Sequence, residues 1–188
     1  MGFSKAQKEQ SRKRILDIAS RQIKERGIES VALNDLMKDA GLTKGAFYGH
    51  FKSRDDLILE ATKHARTGGL TVLETLIKNG KHPTLGKIVD TYLNMEHVHN
   101  PQFGCVVCSL AGESKSQPES VRAELTDTFN AQVNFVERAL KGKDVSRRAI
   151  GIMSAIIGAV STARTVNDLK LAQSILDETR RLILRSGK

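Results

Sequence analysis

Residues 40–57 read AGLTKGAFYGHFKSRDDL and gather a cation, a phenol and an imidazole, Lys44, Tyr48 and His50, into one short stretch. On a helical wheel Phe47 and Phe51 share a face, Lys44 and Tyr48 stack along a flank, and Gly45 and Gly49 lie roughly opposite the phenylalanines. A helix that buries Phe47 and Phe51 therefore turns Lys44, Gly45, Tyr48 and Gly49 outward. Each glycine inside a helix costs about 1 kcal/mol relative to alanine. Stability did not select them. A backbone stripped of side chains can approach another surface closely. The chemistry on offer is polyanion binding. Tyr48 and His50 can donate to phosphate oxygens, and Lys44 can reach a phosphate or a guanine edge in a major groove. The backbone N–H groups of Ser53–Asp55, at the next helix start, offer a further phosphate contact.

Cys105 and Cys108 form a second candidate, a C-x-x-C. Three readings stay open for it. The thiols can be small core hydrophobes. They can be a redox pair, which needs a lowered pKa and an accessible thiolate. They can be metal ligands, which would draw in His97 and His99, although His-x-His followed by Cys-x-x-C is not a usual zinc order. The core reading is the ordinary one, so no metal or cofactor is expected. His64 and His82 read as surface residues. No nucleophile elbow, phosphate loop or H-E-x-x-H occurs, so no enzyme is expected.

The elements that must position these groups read as helices. Ile15, Ile18, Ala19 and Ile23 mark a first helix over 11–26, with Ser11 as its cap and Gly27 as a left-handed stop. Leu33, Leu36, Met37 and Ala40 mark a second, short one. A third starts at Thr43, whose hydroxyl is placed to cap it. Ser53 caps a fourth in a box-like Ser53-Arg54-Asp55-Asp56. The second and third are joined by Gly41-Leu42, the layout of a helix-turn-helix with a core of Ile15, Ile18, Leu36, Phe47 and Phe51. So small a core must lean on the helix after Ser53. Gly68-Gly69 either ends or bends that helix, and helix is expected to continue to Asn79-Gly80. Further helices are expected at 85–93, 103–115, 118–141, 145–164 and 168–185, with no strand. The expected fold class is all-α: a three-helix helix-turn-helix domain over 1–52, then a larger helical domain over 53–188.

Composition agrees. The 188 residues carry a net charge of +9, 4% aromatics, no Trp and 3 Pro, which disfavours an all-β fold and permits long helices. Residues 1–66 hold 14 basic and 9 acidic side chains, against 16 and 12 in the remaining 122, so positive charge is denser near the N-terminus. Lys5, Lys8, Arg12, Lys13 and Arg14 cluster there, either as a solvated tail or as an arm toward phosphates. A basic balance favours nucleic acid or an anionic surface. No stretch approaches the roughly 20 apolar residues of a membrane span, no signal peptide is visible, and two cysteines suit a reducing compartment. The expected location is the cytoplasm, with no membrane partner.

The stretch at 40–57 resembles the signature around the recognition helix of the TetR family of bacterial transcriptional regulators. RILDIASRQIKERGIESVALNDLM upstream is similar to that family's first two helices. GCVVCSLAGE at 104–113, and the last two helices with Ala163-Arg164, resemble patterns in its variable C-terminal domain. The resemblance implies an all-helical homodimer, probing double-stranded operator DNA with its N-terminal domain and a small-molecule effector with its C-terminal one. It implies a recognition helix over Thr43–His50. DNA-facing positions would be Lys44, Gly45, Ala46, Tyr48 and His50, with Leu33 and Asn34 from the second helix and Lys52 and Arg54 near the backbone. One departure is Ala32, where the family often has a capping Thr or Ser.

The helix at 145–164 is apolar nearly all round, and 168–185 carries a one-sided stripe. Pairing with their symmetry mates would form a four-helix interface through Ile152, Ile156, Val160, Ile175, Leu176, Thr179, Leu182 and Ile183. Candidate pocket residues are Met95, Phe103, Cys105, Phe129, Val133, Met153 and Ile157. The leading function is a ligand-released repressor on a palindromic site. Alternatives are a redox-responsive regulator using Cys105 and Cys108, a helical ligand carrier with an incidental basic end, and a nonspecific architectural DNA binder.

Overall fold

Ser53 accepts the N–H of Asp56 at 3.1 Å, while the Asp56 carboxylate accepts the N–H of Lys52 at 2.9 Å. This reciprocal cap starts the helix on which both halves of the molecule are mounted. In a computed structural model, which describes residues 5–77 and 80–186, the chain is all-α, with no strand among those residues. The elements are α1 (Lys5–Arg26), α2 (Leu33–Asp39), a 3₁₀ turn (Lys44–Gly49), α3 (Arg54–Glu74), α4 (Leu85–Tyr92), α5 (Met95–His99), α6 (Val106–Leu110), α7 (Glu119–Glu137), α8 (Val145–Thr165) and α9 (Leu169–Ser186). Shorter 3₁₀ turns at Ile28–Ser30, Pro101–Phe103 and Ser114–Ser116 join them.

Two apolar cores result. The first gathers Ile15, Ala19 and Ile23 of α1, Leu36 and Met37 of α2, Phe47, Phe51, and Leu57, Ile58, Ala61 and Ala65 of α3. It is closed by Val106, Leu110, Val121 and Leu125 from α6 and α7. The second lies among α4, α7, α8 and α9 around Ile88, Val136, Met153, Ile156, Val160 and Leu176. Helix α3 runs through Gly68 and Gly69, where an added Cβ would meet nothing within 4 Å, so neither glycine marks a break.

Several sequence expectations shift. Helix α1 begins at Lys5, not Ser11, because KAQKEQ is built from good helix formers and Ser11 falls inside the helix. Thr43 makes no side-chain cap bond, and Ser30 turns back to the Gly27 carbonyl at 2.7 Å. Ala32 leaves α2 without a side-chain cap. Helix α3 stops at Glu74 in a turn and does not continue to Gly80, and Asn79 lies outside the described residues. Residues 103–115 are not one helix: Gly104 and Gly112 flank the short α6, leaving 3₁₀ turns on either side. The sequence reading had no α5, which Asn94 caps by accepting the N–H of His97 at 2.8 Å. His64 is not a plain surface residue; it pairs with Asp17 at 2.6 Å. His82 is half-buried, edge-on to Phe135 at 5.2 Å.

Candidate functional site

The 43–50 stretch stands on its two phenylalanines. Phe47 and Phe51 are buried in the first core with ring centroids 5.6 Å apart. Tyr48, held edge-on to Phe47 at 5.2 Å, is 71% exposed. Thr43, Lys44, Gly45, Gly49 and Lys52 are exposed with it, as is Asn34 from α2. An added Cβ at Gly45 or Gly49 would meet nothing within 4 Å, so no packing among the described residues requires glycine there. Leu33 and Ala46 are half-buried and pack on the core beneath. The element is a 3₁₀ turn and not an α-helix, since two glycines in six residues give little support to i→i−4 bonding.

Two arginines fix this face from behind. Arg12 donates to the His50 carbonyl at 2.5 Å, pairs with Glu60 at 3.2 Å and stacks over Phe51 at 4.4 Å. Arg54 donates to the carbonyls of Ile28 at 2.8 Å and Val31 at 3.4 Å, and lies 3.5 Å from Glu29. Its guanidinium is thus occupied inside the chain. Burial, then Lys8 and Arg12, lower the His50 pKa. At neutral pH the ring carries one N–H donor and no charge.

The other half holds a cavity of about 330 Å³ between α3, α4, α5 and α7. Leu70, Leu73, Phe103 and Val106 supply apolar wall; Tyr92, His97, Cys105 and Gln132 supply polar floor. The polar floor is tightly organised. His97 Nδ1 meets the Tyr92 carbonyl at 2.8 Å, and its Nε2 accepts the Cys105 N–H at 3.1 Å. That fixes the tautomer with the proton on Nδ1, and burial lowers the ring's pKa. Gly104 permits the approach, for a Cβ there would lie 2.5 Å from the His97 ring. Arg164 of α8 donates to the His97 carbonyl at 2.7 Å and to Ser109 Oγ at 3.2 Å. Gln132 Nε2 donates to Cys105 Sγ at 3.0 Å. The Cys108 thiol, ahead of Gln132 and the backbone N–H groups of Val107 and Cys108, brings Cys105 down to about 6, against the opposing effect of burial. Cys108 moves up.

Residues 15–61 match the family described as bacterial regulatory proteins, tetR family. The segment 15–61 is thus TetR-like in sequence. It is 40% identical over 57 residues to the HTH-type transcriptional regulator AcrR of Shigella flexneri, covering 30% of this chain and only about a quarter (26%) of that protein. An uncharacterized HTH-type transcriptional regulator of Lactococcus lactis subsp. lactis is 24% identical over 177 residues, covering 89% of this chain and 90% of the other. A TetR-family structure from Agrobacterium tumefaciens superposes with a TM-score of 0.77 at 21% identity, covering 95% of this chain and 98% of its own.

The predicted pocket residues scatter. Phe103 and Cys105 line the 330 Å³ cavity. Met95 faces a separate cavity and Phe129 a third. Val133, Met153 and Ile157 are packed in the second core. Tyr92 and Gln132 are not pocket candidates in the sequence, and His97 reads there only as a metal-ligand candidate; only the intervals between buried positions on α4 and α7 could have suggested Tyr92 and Gln132. The C-x-x-C joins no metal set: no cluster of three or more His, Cys, Asp or Glu able to hold an ion occurs among the described residues.

Of the residues expected at a pairing face, Ile152, Ile156, Val160, Leu176 and Ile183 are buried against the chain's own core. Ile175 and Thr179 are half-buried and Leu182 is exposed. What α8 turns outward is small: Gly151, Ser154, Gly158 and Thr162 are exposed, beside Ile150. On α9, Leu169, Leu171 and Leu182 stand 48–66% exposed. No described helix is long and apolar enough to cross a membrane.

Proposed function

We propose that this chain is a transcriptional repressor that binds a palindromic operator as a homodimer and is released by a small-molecule effector, acting in the cytoplasm. The observation that carries the reading is the face at 43–50. A bare backbone at Gly45 and Gly49, flanked by exposed Lys44 and Tyr48, stands on two buried phenylalanines and faces outward. Thr43, Lys44, Tyr48, Lys52 and Asn34 make the outward contacts, with Leu33 and Ala46 filling beneath and His50 donating one N–H. Arg54 acts at one remove, by holding the turn before α2. The outward faces of α8 and α9 supply the dimer contact, which sets the spacing of two half-sites. The cavity at Cys105 and Phe103 holds the effector, which acts by favouring an arrangement of the two reading faces that no longer fits successive grooves.

The deciding experiment is selection of bound sequences from random duplex DNA at physiological salt. A palindromic consensus is the expected result. Unselective binding would replace this reading with an architectural role, and absence of binding would favour a ligand carrier. A second reading, a redox-responsive regulator, is favoured by one observation: Cys105 is lowered to about 6 beside the Cys108 thiol. Peroxide that releases DNA from the wild type but not from Cys105→Ser would establish it.

A further inference from the structure

The carboxamide of Gln132 is almost wholly buried, at 5% exposure, and lines the 330 Å³ cavity. Its two ends differ. Nε2 donates to Cys105 Sγ at 3.0 Å. The Cys108 thiol is also directed at that sulfur, so Cys105 is the acceptor of the pair and the amide must present its N–H side to it. Oε1 is therefore the remaining end; it is buried without a hydrogen bond among the described residues, with the Tyr92 phenol beside the same carboxamide. A buried acceptor left in that state is costly and points to a donor brought from outside.

The charges around the cavity narrow the class. Arg66 is spent on Glu124 of α7, at 2.8 Å. Glu96 is exposed at the rim. Both nitrogens of His97 are engaged, and burial keeps the ring neutral. Cys105 is held by its own donors, with Lys24 and Arg164 as the nearby cations. Within the lining the one guanidinium is thus paired with Glu124, and the one carboxylate stands exposed at the rim. The walls are apolar at Leu70, Leu73 and Val106.

We propose that the cavity takes a small uncharged molecule with an apolar body and one O–H or N–H donor, which bonds to Gln132 Oε1. The proposal rests on the effector reading above and names the chemical class of the effector. The enclosed space suits a compact ligand at the small end of the usual range.

A matched series tests it on the full-length protein by calorimetry: 4-methylphenol, toluene, 4-methylbenzoate and 4-methylbenzylamine. These share a body and differ in the donor and the charge. The phenol is expected to bind at least about tenfold more tightly than the other three, the scale of one satisfied hydrogen bond. In Gln132→Leu and Gln132→Met its advantage over toluene is expected to fall to about twofold or less. The wild-type series decides the matter even if both variants misfold. Equal or tighter binding by the benzoate, the ammonium or toluene overturns the class, and so does no binding by any of the four. Release of selected operator DNA is read separately. A phenol that binds and leaves DNA affinity unchanged overturns the effector reading while the site itself stands.

Discussion

The guanidinium of Arg12 clamps the end of the exposed 43–50 stretch by donating to the carbonyl oxygen of His50 at 2.5 Å. The same side chain lies over Phe51 and pairs with Glu60 of α3, so one residue of α1 ties the exposed face to the core and to the next helix. Arg12→Ala is expected to cost about 1–2 kcal/mol in urea unfolding and to weaken DNA binding as well. Arg12→Lys keeps the charge but not the fork, and should recover less than half of the loss.

Lys44→Ala and Tyr48→Ala should leave the melting temperature unchanged, because both side chains are exposed. Both should weaken operator binding. If Lys44 contacts a phosphate, its removal lowers the slope of log affinity against log salt by about one. Unchanged affinity in both variants would place the reading face elsewhere.

Gly27 is required twice. Its φ is +83°, and a Cβ there would lie 2.8 Å from the carboxylate of Glu113, whose Oε1 accepts the Ile28 N–H at 3.1 Å. Gly27→Ala should destabilise by more than about 1 kcal/mol in chemical unfolding. Part of that loss should vanish in a Glu113→Ala background, and the double-mutant cycle measures the part due to crowding alone.

The cysteines give a pH prediction. Alkylation by iodoacetamide, followed by mass spectrometry, should modify Cys105 before Cys108, with a rate inflection near pH 6. The sign for stability follows from a folded value held below the unfolded one. Cys105 stabilises the fold fully above the ordinary thiol range near 8.5, and this contribution fades as pH falls through about 6. Cys108, moved up, works the other way and offsets this at alkaline pH. Cys105→Ser should therefore flatten the pH dependence of unfolding between about 6 and 8.5.

Gly158 tests the pairing face. It is exposed on α8, and a Cβ there meets nothing within 4 Å. Gly158→Trp should leave helicity and melting of the single chain intact, yet shift sedimentation from dimer to monomer. A variant that still sediments as a dimer would move the interface off this face.

The exposed face at 43–50 was legible because its determinants are local: Phe47 and Phe51 four apart, the Ser53 cap and the Gly27 and Gly41 stops all act within a turn or two. The cavity was not. Tyr92, His97, Cys105 and Gln132 come from separate elements, and one of them, α5, is only five residues long, too short for a periodic signal. The α8 pattern misled for a related reason. Its large residues fill the chain's own core, and the glycines and serines that looked like interruptions are the outward face. Ser11 reads as a cap, yet the six helix-forming residues before it outweigh one serine and carry α1 back to Lys5.

The four apolar side chains that α6 and α7 lend to the first core bear on how such proteins can be recombined. Val106, Leu110, Val121 and Leu125 lie 45 or more positions beyond Ala61, yet they seal the compartment under Phe47 and Phe51. Residues 1–52 are therefore not a cassette. A chimera that grafts them onto a foreign sensor half inherits an unlidded hydrophobic surface unless matching residues are transplanted at those four positions. Natural shuffling of this segment would face the same requirement, so the two halves must drift together at this seam even while their outer surfaces diverge.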